Sequence, residues 1–153
     1  MITLSKPSPQ EFGIIREHAL SDYTRADNIG TWPSAEVAQK EFDRLFPEGF
    51  ATEGHHLFSI KHGDSQVGFL LLAVIQRAAG PEAFVLDLVV FQAFRRKGYA
   101  EEALRQVERY VSALGFETIS LSVFERNEAA RALYQKLEYT PVFTRMTKKL
   151  NGL

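Results

Sequence analysis

The chain contains no cysteine. That removes disulfides, thiolate metal sites and a cysteine nucleophile together. Group transfer here must use another nucleophile or pass directly from donor to acceptor. No run approaches the ~18 apolar residues of a membrane span. No apolar segment follows the charge in Met-Ile-Thr-Leu-Ser-Lys, so no signal peptide is expected. The formal net charge is only −1, which gives no broad attraction to nucleic acid. Repeats, low-complexity stretches and linkers are missing too. So are Gly-x-x-x-x-Gly-Lys-Ser/Thr and Gly-x-Gly-x-x-Gly, which argues against the common nucleotide-binding domains. A cytoplasmic protein with no membrane or nucleic-acid partner is the expectation.

What is present is enough for one core. The 153 residues are 45% apolar and include 12 Phe, which fits a single domain over 1–153. Residues 8–24 read as a helix with Phe12, Ile15, Ala19 and Tyr23 on one face. Ser34 to Phe46 reads as a second helix, placed between Pro33 and Pro47. Residues 25–33 and 47–55 read as loops. His56 to Lys61 and Gln66 to Gln76 read as strands joined by the turn His62-Gly63-Asp64-Ser65. Phe84 to Phe91 is apolar on both faces and reads as a buried central strand. Ala100, Ala103, Leu104, Val107, Tyr110, Val111 and Leu114 carry helical spacing. Gly115 follows where a C′ residue belongs, with Phe116 behind it. Thr118 to Val123 alternates as a strand. Asn127 reads as an N-cap, with a helix to about Leu137, and Tyr139 to Lys149 reads as a last strand. Short turns make the early strands antiparallel. A helical crossover makes 84–91 and 118–123 parallel. The fold class is α/β with a mixed antiparallel and parallel sheet flanked by helices.

One segment carries chemistry by its placement. Arg95-Arg96-Lys97-Gly98-Tyr99-Ala100 lies between the central strand and the strongest helix. Backbone N–H groups of such a loop and of the helix's first turn point at one spot, and the helix dipole favours an anion there. Gly98 lets a phosphate approach the backbone. The other reading of Arg95, Arg96 and Lys97 is a solvated basic turn.

Three pieces together resemble the GCN5-related N-acetyltransferases. They are Arg95-x-x-Gly98-x-Ala100 after a central strand, Asn127 near the start of the next helix, and Ala132-Leu133-Tyr134-Gln135-Lys136-Leu137-Glu138-Tyr139. The resemblance implies a single acetyltransferase domain that uses acetyl-CoA, with no metal. It implies that Arg95, Arg96, Lys97, Gly98, Tyr99 and Ala100 hold the coenzyme's diphosphate. The strands 84–91 and 118–123 would splay, so that backbone groups of Leu88, Val89 and Val90 bond the pantetheine arm and polarise the thioester carbonyl. Tyr134 would protonate the leaving thiolate, or else stand as a core aromatic. Asn127 would bond the coenzyme, cap its helix, or both.

The acceptor would be a primary amine of a small molecule or a protein N-terminus, and the protein a monomer or homodimer. An alternative is a CoA-binding module of the same fold that has lost efficient catalysis. Family members that carry a Glu base have it where this chain has Phe84 or Ser122. Asp87, the one charge in its strand, is a candidate for acceptor recognition or proton removal, or for a structural bond. Glu125, His55, His56 and ordered water are the other candidates. His55-His56 also reads as ordinary loop and edge residues, and it has no third ligand for a metal. Glu138 stands where the family has Gly. A left-handed residue there would cost about 1–2 kcal/mol. Trp32, Phe42, Phe46 and Phe50 either wall an acceptor pocket or pack helices on the sheet.

Overall fold

A computed structural model describes residues 1–23, 35–49 and 52–152. The expected 25–33 loop, Trp32, Ser34, Phe50 and the side chain of Tyr23 lie outside the described residues. The chain divides into two compact units, Met1–Ser122 and Val123–Leu153. Among the described residues no helix is long and apolar enough to cross a membrane.

The first unit carries β1 (Thr3–Ser5), α1 (Pro9–Tyr23), α2 (Ala35–Leu45), β2 (His55–His62), β3 (Ser65–Arg77), β4 (Gly80–Val90), α3 (Tyr99–Ala113) and β5 (Ile119–Leu121). The strands form one sheet in the order β1-β2-β3-β4-β5. Its first three pairings are antiparallel and the β4–β5 pairing is parallel, as the connection lengths require.

Alternation along β2, β3 and β4 gives the sheet two apolar faces. On one face Leu57, Phe69 and Leu71 bury against Ile15 and Ala19 of α1 and against Phe42 and Phe46. Phe42 and Phe46 are only 3% and 8% exposed, with ring centroids 4.8 Å apart. They are core residues, each worth about 1.5–3 kcal/mol of burial, and not free walls of a pocket. On the other face α3 buries Ala103, Leu104, Val107 and Val111. Tyr110 of that helix meets the Phe58 ring edge-on at 5.3 Å.

Two ties hold the start of the chain. Ser8 and Glu11 form a capping box: the Ser8 amide donates to Glu11 at 2.8 Å and the Glu11 amide to the Ser8 hydroxyl at 3.2 Å. Lys61 pairs with Glu11 at 3.1 Å. The Ser8 amide, then Lys61 and Ser59, hold the Glu11 carboxyl below its ordinary range against an opposing effect of burial. β1 itself is absent from the sequence reading. It forms because Ile2 is 1% exposed, with its amide donating to Glu102 and its carbonyl accepting from Gln106, both at 2.9 Å.

The second unit contains α4 (Glu128–Lys136). The expected last strand over Tyr139–Lys149 does not form: these residues carry no ladder bonds and are mostly exposed. Apolar alternation there is incomplete, with Val142 and Phe143 adjacent and Pro141 lacking a donor, so the segment has no consistent face to bury.

β3 and β4 come unusually close at one point. Gly68 pairs with Val90, and a Cβ added to Gly68 would lie 2.1 Å from the Val89 carbonyl oxygen. No side chain fits without moving β4. Gly68→Ala should therefore destabilise the fold by about 1–3 kcal/mol or more, the range for overpacking, measured by urea unfolding. An unchanged midpoint would show that the strands can part without loss.

Candidate active site

β4 pairs with β5 at only three positions: Ala83 with Ile119, Phe84 with Ser120, and Val85 with Leu121. Beyond them, among the described residues, β4 pairs with β3 alone, at Asp87–Val90. β5 ends at Leu121, so β4 has no parallel partner there. The register of β4 on β3 also shifts there: Leu72 faces Val85 and Leu71 faces Asp87, so Leu86 is an extra residue. This bulge resets the alternation. Val85 shares a face with Leu72, whereas Asp87 shares the α1–α2 face with Leu71.

Backbone direction along this stretch follows from one bond. The Phe91 amide donates to the Val67 carbonyl at 2.9 Å, so it points at β3. Strand alternation points the Val89 amide the same way, and those of Leu88 and Val90 into the opening. The Val90 carbonyl accepts from Arg95 Nε at 3.0 Å, on the side that β3 does not use.

Past a single turn at Gln92–Phe94 the chain reaches the basic loop. Arg96 is left-handed, at φ 62°, and so is Gly98, at φ 79°. Gly98 is the N-cap of α3, with no side-chain cap bond. Open space lies where its Cβ would be. The first amides of α3, at Tyr99, Ala100 and Glu101, have no intrahelical acceptor by the geometry of a helix start. Two glutamates in that turn would oppose an anion, but both are engaged. Glu101 bonds Arg105 at 3.2 Å, and Glu102 accepts from Ile2. The Tyr99 ring stacks on His62 at 5.3 Å, and Lys97 lies 5.8 Å over Phe94. The loop thus presents backbone donors and charge, with its rings turned to their own neighbours. A diphosphate fits this donor set and this open glycine.

In the second unit, Asn127 caps α4, its side chain accepting from the Ala130 amide at 3.2 Å. The local role expected of it is therefore present. Tyr134 sits mid-helix with its ring 5.8 Å from that of Tyr139. The helix closes with paired bonds, Tyr139 amide to Tyr134 carbonyl at 2.9 Å and Glu138 amide to Gln135 carbonyl at 3.1 Å. Glu138 stands at φ 67°. Glu125 pairs with Arg131 at 3.2 Å.

The two histidines separate. His56 Nδ1 lies 2.7 Å from the Tyr110 hydroxyl on the α3 face. Burial, and then the neighbouring His55, push the His56 imidazole below its ordinary value. His55 instead turns its ring to Phe46 at 5.5 Å, at a level of the sheet set by Ala73 and Phe84. His18 of α1 was missed in the sequence. Its ring lies 5.0 Å from Phe91 and 6.0 Å from Phe69. A helical histidine on a mixed face gave no signal until α1 was laid over β4.

Among the described residues no group of three or more acids or histidines is placed to hold a metal. A concavity of about 560 Å³, lined by Val111, Gly115, Phe116 and Ile119 among others, lies at the opposite end of α3. That helix has 15 residues, so the concavity is roughly 20 Å from Gly98 at 1.5 Å per residue.

A five-stranded mixed sheet flanked by helices, antiparallel from β1 to β4 and parallel at β4–β5, is the architecture of an acetyltransferase. The chain belongs to the acetyltransferase (GNAT) family, whose profile matches residues 15–139. It is similar to YycN of Bacillus subtilis strain 168, named an uncharacterized N-acetyltransferase, at 31% identity over 97% of this chain and 99% of that one. It is 30% identical to YdgE of the same organism, of like name, over 97% of this chain and 98% of the relative. The YycN crystal structure matches with a TM-score of 0.80 at 29% identity, over 98% and 99% of the two chains. A GCN5-related N-acetyltransferase from Ralstonia eutropha JMP134 shares the fold, with a TM-score of 0.72 at 18% identity over 99% and 100%.

The closure of α4 yields a test. A non-glycine residue in the left-handed region costs about 1–2 kcal/mol, partly offset by the entropy glycine loses on folding. Glu138→Gly should raise the unfolding free energy by about 1 kcal/mol in urea titration. A loss of stability would mean that the Glu138 side chain makes a compensating bond.

Proposed function

We propose that this protein is an acetyl-CoA-dependent N-acetyltransferase that moves acetyl directly to a primary amine of a small molecule or a protein N-terminus. The observation that carries the reading is the loss of β4's parallel partner from Leu86 onward, with the Leu88 and Val90 amides aimed into the gap. Backbone donors without a partner strand suit a ligand with its own amides and a carbonyl to polarise. The amides from Arg95 to Ala100 bind the diphosphate. The coenzyme supplies an activated acetyl thioester. Asp87 faces the amine side and favours a cation there. Asn127 contributes to the coenzyme site. Tyr134, by the motif in which it stands, gives a proton to the departing sulfur. The protein works in the cytoplasm as a monomer or homodimer.

Calorimetry with acetyl-CoA, ATP and NAD, followed by thiol release over a panel of primary amines, tests this. Acetyl-CoA binding and release with at least one amine are expected. Binding of ATP or NAD without acetyl-CoA would end the reading. Acetyl-CoA binding without release on any amine would leave a CoA-binding module. Gly98→Glu should weaken acetyl-CoA at least about 100-fold, or ~2.7 kcal/mol, in a folded protein. Tyr134→Phe should lower kcat about 100-fold, within the usual range for a lost proton donor, with acetyl-CoA affinity nearly unchanged. An unaltered kcat would remove Tyr134 from the mechanism.

A further inference from the structure

We propose that His18 is the base that takes the proton from the acceptor amine, an inference that rests on the function read above. His18 is half-buried on α1. Its ring lies against Phe91, the residue after β4, and against Phe69, which pairs with Val89. The imidazole therefore stands over the stretch of β4 whose Leu88 and Val90 amides open away from β3. It lies on the α1–α2 face, which the bulge at Leu86 also gives to Asp87.

Other groups are placed elsewhere. His56 faces α3 and bonds Tyr110. His55 lies at the level of Phe84, roughly 20 Å from Val90 at 3.3 Å per residue. Glu11 is held by Ser8, Ser59 and Lys61. Glu125 pairs with Arg131 on a side chain 87% exposed. Among the described side chains, Arg16 and Glu17 are the charged residues beside His18 on α1, and Asp87 lies on the same face of the sheet. Arg16 is turned to Phe42 and Asp43 of α2. Among the described residues, Asp87 and His18 stand on the α1–α2 face near this end of β4. A carboxylate is the weaker base of the two types. A ring nitrogen of histidine is the commonest general base in such proton transfers. Asp87 is the counter-ion that draws in the ammonium, and His18 takes its proton.

The step balances. The ammonium gives one proton to His18. The freed amine nitrogen bonds to the thioester carbonyl carbon and the C–S bond breaks. The sulfur takes up the second proton of the nitrogen. Imidazolium then releases its proton to water. The products are an amide and a thiol.

The variant His18→Phe keeps a ring against Phe69 and Phe91. With the amine that reacts fastest in the panel, it should lower kcat about 100-fold and leave the Kd for acetyl-CoA unchanged. The acid limb of kcat/KM should disappear. In the coenzyme A-bound wild type, adding that amine should shift the His18 ring resonances in the NMR spectrum. His18→Gln, with the same measurements, covers loss of folding in the Phe variant. Retained kcat and acid limb in both variants would overturn the proposal. So would an acid limb lost in Asp87→Asn but kept in His18→Phe, which would make Asp87 the base. No thiol release from the wild type would instead defeat the acetyltransferase reading itself.

Discussion

Among the described residues, β4 has a partner strand on both sides at Ala83, Phe84 and Val85, and on one side only from Asp87 to Val90. An orphaned backbone donor away from water costs about 1–3 kcal/mol. A strand interior to a sheet does not normally accept that. Here two features keep the strand in place. The β3 ladder continues through Gly68 and Val90, with the backbones so close at Gly68 that any side chain would collide. The face toward α1 and α2 stays packed through Val89 and Phe91. β4 is therefore held against β3 and the helices even where it has no parallel partner among the described residues.

The bulge and the end of the β5 pairing fall at the same residue, and they do different work. The end of the pairing leaves the Leu88 and Val90 amides without β5 beside them. The bulge decides which side chains face the helices, moving Asp87 to the α1–α2 side without changing the direction of the chain. Without Leu86 as an extra residue, Asp87 would follow Val85 onto the α3 face. The loop after β4 adds a second fixed device. Arg96 and Gly98 both adopt left-handed backbone, a conformation that α-helices and strands do not use. That geometry halts the chain and turns it into α3 with its first amides uncapped. Helix ends elsewhere in the protein are closed more conventionally. α3 finishes at Gly115, with the Phe116 amide on the Val111 carbonyl. α4 finishes with the same bonding pattern but with Glu138 in the left-handed place.

Much of this was legible in the sequence wherever a local pattern and the tertiary structure agree. The helical spacing from Ala100 to Leu114, the hairpin turn at Gly63 and the Gly115 stop are local signals, and the fold keeps them. The sense of each strand pairing followed from the lengths of the connections. What was not legible depends on contacts distant in sequence. β1 exists because Ile2 meets Glu102 and Gln106, about a hundred positions away. The bulge shows only against β3, since Phe84 to Phe91 reads as an even apolar run. The expected strand at Tyr139–Lys149 drew on composition, and composition cannot supply a partner. His18 belongs to this class too: one imidazole in a helix, given meaning only by the two phenyl rings it meets.

The α1–α2 face has to be both a core and a wall of the site, and the level along the sheet separates the two duties. Around Leu57 and Leu71 the face is closed by Phe42 and Phe46, both buried, and a change there would act on stability. At the level of Val89 and Phe91 the packed residues are only partly buried, as are Phe12 and Leu20, and it is there that His18 meets Phe91. Substitution at this rim removes less apolar contact and so costs less folding energy. The lower core and the Gly68 contact are the more constrained parts of the sheet. Phe84 fits the same logic. It pairs with Ala73 opposite His55 and so faces the α1–α2 side well below the rim, at the core level where a change acts on stability.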